Sequence, residues 1–307
     1  MVQENNLDKK ILIICGPTAS GKTALAVECA KLLDSQVISA DSMYIYKGLD
    51  IGTAKPSIDE TQGIKHHLID VCSPENEFTV SDYKALATPI IDEIFAKGKI
   101  PVVCGGTGFY INSILYDLSY GNSGANLEAR NKYKALADEF GNEYVYNILK
   151  EVDPESACKI HFNDVKRVIR ALEIYESGTK KSEIKDELVA KYPYKAYSID
   201  FERKFLYDRI NLRVDQMVEN GLIEEVKSLL QSGLTEDNQC MQGIGYKEII
   251  EYLKGNVSLE QALDLIKLNT RHYAKRQITF FKRFNGLIYL TPADTKELAK
   301  RIVEELW

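Results

Sequence analysis

The fold is decided by one stretch near the N-terminus, Ile11-Leu12-Ile13-Ile14-Cys15 followed directly by Gly16-Pro17-Thr18-Ala19-Ser20-Gly21-Lys22-Thr23. Its second half matches the phosphate-loop pattern G-x-x-x-x-G-K-[ST], and its apolar first half is typical of a buried strand. From Thr23 to about Leu33 the composition suits a helix. The order strand, loop, helix is the context that the loop pattern requires.

This loop has the chemistry of a phosphate site. Its glycines let the backbone wrap so that a row of N–H groups points inward, and the following helix adds the positive end of its dipole. Lys22 supplies a full positive charge, and the Thr23 hydroxyl is suited to ligating Mg²⁺. We therefore expect a diphosphate or triphosphate site with Mg²⁺ as its cofactor; the alternative is a glycine-rich turn without a ligand.

Composition and charge are those of an ordinary globular protein. The chain has 307 residues, of which 45% are hydrophobic and 27% charged, enough for one large or two modest domains. The net charge of −6 argues against a generic polyanion binder, so contact with nucleic acid needs a local basic face. Six cysteines without a C-x-x-C pair indicate buried free thiols in a reducing cytosol.

No segment has the character of an export signal or a membrane span. Residues 1–10 are polar and lack the apolar centre of a signal peptide. No apolar stretch approaches the length needed to cross a bilayer. We therefore expect a cytoplasmic protein without a membrane partner. The oligomeric state stays open, with a monomer as the simplest expectation.

Two further apolar runs end in polar or glycine-rich segments. Residues 37–40 end at Asp41, and residues 101–104 end at Gly105-Gly106-Thr107-Gly108. In an open parallel sheet, ligands bind outside the carboxyl ends of the strands. We therefore predict an α/β fold: a P-loop NTPase-like core with a mostly parallel sheet flanked by helices. The phosphate loop, Asp41 and Thr107 should then converge on one cleft.

The pattern changes after Leu118. Residues 120–124 have the composition of a linker, and residues 127–177 are helical and rich in charged residues. We interpret 120–198 as an all-helical insertion domain, and 1–119 with 199–307 as the P-loop core domain. In the second core segment we predict strands at 197–205 and 287–290, helices at 206–232, 246–253 and 259–284, and a C-terminal helix.

Four further residues are weighed as candidates for chemistry beside the loop. Asp41 can act as a general base or hold Mg²⁺ through water, with a helix N-cap or a solvated loop carboxylate as the alternative. Arg213, on a predicted helix, is either a surface residue or a second clamp on a diphosphate. Adjacent His66 and His67 on a strand would point to opposite faces and so rarely ligate one metal ion.

A first basic cluster stands out against the acidic background. On a helix, Lys166, Arg167 and Arg170 share a face, while Val168 and Ile169 point inward. This pattern is compatible with a contact to RNA phosphates or with a lid on a phosphorylated small molecule. The alternative is a solvated helix face.

A second basic cluster occupies residues 270–283. Arg271, Lys275 and Lys282 fall near one helix face, and aromatic residues lie between them. Interleaved aromatic residues suit stacking on unpaired bases. The cluster alone is also compatible with a solvated face, but two such clusters in a net-negative chain favour an RNA partner.

These motifs together resemble the tRNA dimethylallyltransferases, also called tRNA isopentenyltransferases. The resemblance covers nearly the whole chain and is to the bacterial type, since no Cys/His tail precedes the end at Trp307. It departs at Tyr44, where many members carry Gln. The matching segments are 16–23, 38–42, 46–56, 66–70, 105–107, 163–164, 167–173, 243–247 and 274–278.

The resemblance implies a prenyltransferase with two substrates. It would transfer a dimethylallyl group from dimethylallyl diphosphate to N6 of adenosine 37, next to the anticodon, in tRNAs that read codons beginning with U. Asp41 would be the base, and Thr18 and Arg213 would act at the leaving diphosphate. The insertion domain would grip the anticodon stem-loop.

The resemblance also implies a set of contact residues. Those for the diphosphate are Gly16, Pro17, Thr18, Ala19, Ser20, Gly21, Lys22 and Thr23, with Thr23 also the Mg²⁺ ligand. Those for the tRNA are Asp41, Ser42, Met43, Tyr44, Thr107, Arg130, Lys166, Arg167, Val168, Ile169, Arg170, Gln242, Gly243, Ile244, Gly245, Tyr246 and Lys247.

Three other classes of protein stay open. An isopentenyltransferase acting on free AMP, ADP or ATP would share the fold but would not need the basic clusters. A small-molecule kinase would use the phosphate loop for ATP. An RNA-binding protein with a vestigial loop would not need the intact Lys22, Thr23 and Asp41.

Overall fold

A computed structural model describes residues 9–118, 126–184 and 189–306. Within these residues six strands form one sheet. The strands are β1 (Ile11–Cys15), β2 (Val37–Ser39), β3 (His66–His67), β4 (Val102–Gly105), β5 (Tyr194–Ile199) and β6 (Leu287–Leu290). The helices are α1 (Lys22–Leu32), α2 (Ile58–Thr61), α3 (Val80–Ala96), α4 (Gly108–Leu115), α5 (Leu127–Phe140), α6 (Asn142–Val152), α7 (Pro154–Lys159), α8 (Val165–Glu176), α9 (Arg203–Glu219), α10 (Leu222–Gln231), α11 (Tyr246–Leu253), α12 (Leu259–Phe281) and α13 (Thr295–Glu305).

The sheet has the strand order β3-β2-β4-β1-β5-β6, and its five pairings are all parallel. All five residues of β1 are buried, as expected when helices cover both faces of a parallel sheet. Cys15 at the end of β1 pairs with Gly105 at the end of β4. The carboxyl ends of these strands therefore lie side by side, and the predicted P-loop NTPase-like core is confirmed.

The main core lies between one face of the sheet and two helices. Leu12 and Ile14 of β1 pack with apolar residues of α1 such as Leu25, and with Leu298 and Ile302 of α13. These side chains alternate along the strand and recur at helical spacing along the helices, as a buried strand face and an amphipathic helix require. The packing fixes α1, and hence the phosphate loop before it, against the sheet.

Two predicted elements differ from the structure. The strand predicted at 197–205 is β5, Tyr194–Ile199, which starts three residues earlier and ends six residues earlier, and α9 already begins at Arg203. The helix predicted at 206–232 is two helices, because the chain turns at Gly221 with φ 99°, a conformation that favours glycine. Apolar spacing continues across this turn, so the spacing alone does not mark the break.

The chain divides into two compact units, and the boundaries differ from those expected. One unit is Met1–Leu115 with Ala190–Trp307, and the other is Tyr116–Val189. The helical unit was expected at 120–198, but Tyr194–Ile199 is a strand of the large sheet, so the second boundary lies earlier. The linker predicted at 120–124 lies outside the described residues.

The smaller unit has its own core. Buried residues of α5, α6 and α8 form it, among them Tyr133, Val145, Leu149 and Leu172. Its described residues are helical apart from turns and extended segments, as predicted for this part of the chain. The core shows why the segment forms a compact unit instead of an extended loop.

All six cysteines are free thiols, as the sequence indicates; five are buried, and Cys158 is exposed. Burial raises the pKa of Cys29 to about 12 and that of Cys240 to about 11, which makes these thiols unreactive. Across the described ranges, no helix combines the length and apolar character needed to cross a membrane.

Asp153 links two segments of the smaller unit. It caps α7, since its Oδ1 accepts the Ser156 N–H at 3.1 Å, and its Oδ2 accepts the Ser182 N–H at 3.0 Å. Burial acts to raise its pKa, but these hydrogen bonds stabilise the carboxylate more strongly and lower the pKa from 3.8 to about 2. The ionised form therefore stabilises the fold.

The Asp153→Asn variant should lose stability in a pH-dependent way. The carboxylate of the wild-type protein contributes stability above pH 4 that is lost as the pH falls towards its folded pKa of about 2. We therefore expect the variant to be about 2 kcal/mol less stable at pH 7, with the difference shrinking below about pH 4. Thermal unfolding of both proteins between pH 7 and pH 2 measures this difference in stability.

The matched control is Asp138→Asn, the same substitution at an exposed position on α5. It should unfold like the wild-type protein at each pH. A stability difference for Asp153→Asn that stays constant down to pH 2 would contradict the role assigned to the carboxylate.

Candidate active site

The phosphate loop joins β1 to α1 in a conformation that only certain residues tolerate. Gly16 has φ 136° and Gly21 has φ 79°, both favourable only for glycine. A Cβ on Gly16 would lie 2.6 Å from Ser198 Oγ. Gly21 caps α1 and provides no side-chain hydrogen bond, so the first N–H groups of the helix have no side-chain cap and suit an anion.

Lys22 lies at the start of α1 and points back to its own loop. Its Nζ donates to the Pro17 carbonyl at 3.2 Å. Burial lowers its pKa, while the negative charge of Asp41 acts in the opposite direction. A half-buried ammonium near a carboxylate, at the start of a helix that has no side-chain cap, is suited to a polyanionic ligand that restores full charge compensation.

Gln277 of α12 connects the phosphate loop to the loop after β4. Its Oε1 accepts the Thr18 N–H at 2.9 Å, and its Nε2 donates to the Gly106 carbonyl at 3.0 Å. Gln277 is 5% exposed, and a Cβ on Gly106 would overlap its amide. The predicted site residues do not include Gln277, although it lies in the matching segment 274–278; the signal in the sequence was an amide next to the charged Lys275 and Arg276.

The loops that carry Asp41 and Thr107 lie together, as predicted. The Asp41 Oδ1 accepts the Met43 N–H at 3.0 Å, and Thr107 Oγ1 accepts the Ser42 N–H at 3.0 Å. The Thr107 N–H donates to the Ala40 carbonyl at 3.0 Å, which joins the loops after β2 and β4. One oxygen of Asp41 is therefore held by the backbone, which fixes the direction of the carboxylate.

Arg213 of α9 lies in the same region and hydrogen-bonds to a backbone carbonyl. Its Nη2 donates to the Ala54 carbonyl at 3.0 Å, and Tyr44 OH donates to the same oxygen at 2.8 Å. Burial and the negative charge of Asp41 raise the pKa of Tyr44 above its ordinary value, so the phenol stays a donor. Among the described residues, no carboxylate forms an ion pair with Arg213, which leaves its charge for a ligand.

One pocket brings together Lys22, Asp41 and Tyr44. It is lined by Lys22, Thr23, Val37, Ser39, Asp41, Tyr44, Pro56, His66, Ile69, Cys104 and Gly105. The predicted convergence of the phosphate loop with Asp41 is therefore confirmed. Apolar side chains, among them Val37, Pro56 and Ile69, also line it, so an anion site and apolar groups border the same pocket.

The oxygen donors of this pocket suit Mg²⁺ in one particular way. Thr23 and Asp41 present hard oxygen atoms, the ligand type that Mg²⁺ prefers. In the described part of the chain, no group of three or more His, Cys, Asp or Glu side chains is placed to hold a metal ion. The residues present therefore fit an ion that keeps several waters and binds through one or two protein oxygens and ligand phosphates.

In the smaller unit, the structure pairs two of the predicted RNA-contacting arginines with one carboxylate. Arg170 lies 2.9 Å and Arg130 3.3 Å from the fully buried Glu173. Val168 and Ile169 are buried in the core of this unit, so an RNA contact there cannot involve their side chains. Lys166 and Arg167 are exposed, as predicted.

The segment 242–247 lies against Met43 in the larger unit. A Cβ on Gly243 would lie 2.6 Å from Met43 Cε, so the segment borders the loop that carries Asp41. The Tyr246 ring is fully buried, and an RNA contact cannot involve it either. In the second basic cluster, Arg271 donates to Asn211 at 2.6 Å, while Lys275 is exposed.

The chain is similar to proteins named as dimethylallyl or isopentenyl transferases of tRNA. The family model described as IPP transferase matches residues 44–284. A tRNA dimethylallyltransferase of Acetivibrio thermocellus is 48% identical over 300 residues, covering 96% of each chain. A tRNA isopentenylpyrophosphate transferase of Bacillus halodurans, solved by crystallography, is 42% identical, with a TM-score of 0.73 and 97% of each chain covered. A eukaryotic dimethylallyltransferase acting on tRNA gives a TM-score of 0.82 at 30% identity, covering 97% of this chain and 77% of that one.

Replacing Gln277 with Leu should disturb the phosphate loop directly. The change leaves the Thr18 N–H and the Gly106 carbonyl without their buried partner. We expect a loss of about 2 kcal/mol in stability and at least about tenfold weaker binding of inorganic pyrophosphate. Calorimetric titration and thermal unfolding measure these two effects.

The matched control is Gln216→Leu, at an exposed position of α9. It should bind pyrophosphate like the wild-type protein. Unchanged pyrophosphate affinity in Gln277→Leu would show that the amide does not shape the anion site.

Proposed function

The chain belongs to the IPP transferase family of tRNA dimethylallyltransferases, and from this premise we propose which substrates it joins and which residues act. It transfers a dimethylallyl group from dimethylallyl diphosphate to N6 of adenosine 37 in tRNAs that read codons beginning with U. The observation that carries this proposal is that residues of the phosphate loop, a carboxylate and apolar side chains border one pocket.

The diphosphate of the donor binds in the phosphate loop. The backbone N–H groups of residues 19–23 and the Lys22 ammonium hold its oxygens, and Thr18 lies near the oxygen that bridges to the prenyl group. Arg213, which lacks a carboxylate partner among the described residues, neutralises charge as the leaving group forms. Charge that develops only in the transition state is the charge such groups stabilise most effectively.

Mg²⁺ is the proposed cofactor. Thr23 would hold it, with Asp41 near enough in the same pocket to contribute through water. When bound, the ion supplies positive charge to the diphosphate oxygens. The residues of the chain still provide the binding, the orientation and the proton transfer.

Asp41 is the proposed general base. N6 is a weak nucleophile because its lone pair is delocalised into the ring, so removal of its proton as the bond forms lowers the barrier. In the proposed step, the N6–C bond forms, the allylic C–O bond breaks, the bonding pair leaves with diphosphate, and the N6 proton passes to Asp41. The Met43 N–H, at 3.0 Å from Oδ1, orients the carboxylate for this role.

The RNA contacts divide between the two units. In the larger unit, the loop of residues 41–44, Thr107 and the segment 242–247 would receive the target adenosine, which must leave the anticodon-loop stack to be reached. In the smaller unit, Arg130, Lys166, Arg167 and Arg170 would contact the anticodon stem-loop. We propose that the protein acts as a monomer in the cytoplasm.

The alternative reaction on free AMP, ADP or ATP is not favoured. The related proteins described above carry names that specify tRNA. The exposed Lys166 and Arg167 in a helical unit of a net-negative chain have no evident use with a free nucleotide. Incubation with radiolabelled dimethylallyl diphosphate and Mg²⁺, with unmodified tRNA or AMP in parallel, distinguishes the two reactions: label in tRNA supports the proposal, and label only in AMP rejects it.

The Asp41→Asn variant should lose catalysis and keep RNA binding. The amide can still accept the Met43 N–H, but it cannot take a proton at neutral pH. We expect the rate of prenyl transfer to fall by about 10²-fold or more, as we do for Asp41→Ala. Single-turnover rates and tRNA titrations separate the two effects.

The same substitution at the exposed Asp264 of α12 serves as the control and should transfer at the wild-type rate. Near-normal turnover in Asp41→Asn would remove Asp41 as the base.

Replacing Lys166 and Arg167 together with Ala should weaken tRNA binding through loss of phosphate contacts. Each phosphate contact contributes about one unit to the slope of log K against log salt, so we expect the slope to fall by about two. Binding measured over a range of salt concentrations provides this slope.

As a control, the exposed Lys134 of α5 can be replaced with Ala, and the slope should then change less. An unchanged slope in the Lys166 and Arg167 variant would identify the cluster as a solvated face.

A further inference from the structure

The carboxylate of Glu225, on α10, accepts hydrogen bonds from the backbone of the turn at residues 50–52. Its Oε2 accepts the N–H groups of Asp50 at 3.0 Å and Ile51 at 2.7 Å, and its Oε1 accepts that of Gly52 at 3.0 Å. Three successive N–H groups that converge on one anion form a nest of the kind that binds phosphate. In this protein a side chain supplies the anion, and the turn is thereby held to α10.

A fourth donor completes the coordination of Glu225. Tyr246 OH donates to Oε1 at 2.6 Å, so the four hydrogen bonds occupy about as many acceptor positions as a carboxylate offers. Burial, together with the charge of Glu225, raises the pKa of Tyr246 above its ordinary value, which keeps the phenol protonated. A Cβ on Gly52 would lie 2.7 Å from the Tyr246 ring, so the turn needs glycine at this position.

The held turn determines where the Ala54 carbonyl lies. The Ala54 N–H donates to Ile51 O, and the Lys55 N–H donates to Asp50 O, both at 3.0 Å. These bonds tie residue 54 to the segment that Glu225 anchors. Because the Ala54 carbonyl accepts from Arg213 at 3.0 Å, the position of the guanidinium depends on that turn.

We propose that Glu225 is a positioning residue for Arg213. It acts through the turn of residues 50–52 and the Ala54 carbonyl, and it has no contact with a ligand of its own. The inference rests on the proposed function, in which Arg213 meets the leaving diphosphate. Glu225 therefore determines, through the turn, where Arg213 lies relative to the leaving diphosphate.

A double-mutant cycle with Glu225→Gln and Arg213→Ala tests the proposal. A glutamine places an NH₂ group against N–H donors, so the turn is released and Arg213 loses its orientation. We expect Glu225→Gln to weaken the binding of inorganic pyrophosphate with excess Mg²⁺, and to lower kcat for transfer to tRNA, each by about tenfold. The KM for tRNA should stay unchanged. The double variant should be no worse than Arg213→Ala alone.

Control variants separate positioning from folding. Glu224→Gln makes the same substitution at the neighbouring exposed position of α10 and should bind pyrophosphate normally. Tyr246→Phe removes one of four donors and should show a smaller loss in the same direction; if Glu225→Gln does not fold, Tyr246→Phe takes its place in the cycle. Thermal unfolding of each variant accompanies the binding data.

Two results with the variants would overturn the proposal. One is additive losses in the cycle, and the other is a lowered unfolding temperature with pyrophosphate binding unchanged. A wild-type chain that binds no pyrophosphate overturns it as well. A wild-type chain that binds pyrophosphate but transfers no prenyl group contradicts the proposed function only, and the cycle is then read from pyrophosphate binding.

Discussion

The site depends on the two hydrogen bonds of Gln277. A parallel sheet brings the loops after β1 and β4 to the same edge, but it leaves their separation to side chains. Gln277 fixes that separation, since it accepts from Thr18 and donates to Gly106 with both ends of one rigid amide. Loss of the amide would leave two buried backbone groups without hydrogen-bond partners. The free-energy cost of leaving them unpaired is larger than the net stabilisation that the two hydrogen bonds provide.

Charge explains why this arrangement needs a ligand. Lys22 and Arg213 place two positive charges near the single negative charge of Asp41. Burial of Lys22 acts against its ionised form, so a bound polyanion is the natural counterpart. In the part of the chain that the structure describes, Arg213 is held by a carbonyl and not by a carboxylate, which keeps its charge available. In our account, Glu225 holds the loop that carries this carbonyl.

Much of the core could be predicted from the sequence, because its signals are local. The phosphate loop, the strand at 287–290 and the helix at 246–253 have the predicted bounds or nearly so. The turn at Gly221 and the early start of β5 were missed, because apolar spacing persists across both. Gln277 and Glu225 were not identified, since their roles come from partners more than 160 residues away in sequence. Arg130 and Arg170 were predicted as RNA contacts, and the structure adds their pairing with Glu173.

The central claim is that the phosphate loop holds a leaving diphosphate and the allylic C–O bond breaks. The most direct test uses dimethylallyl diphosphate with ¹⁸O at the oxygen that bridges carbon and phosphorus. After transfer to unmodified tRNA, ³¹P NMR of the released pyrophosphate locates the label. Our account predicts that the pyrophosphate retains the ¹⁸O and that the RNA gains the prenyl group. Release of unlabelled pyrophosphate, with ¹⁸O left in the corresponding alcohol, would show cleavage at phosphorus and contradict the account.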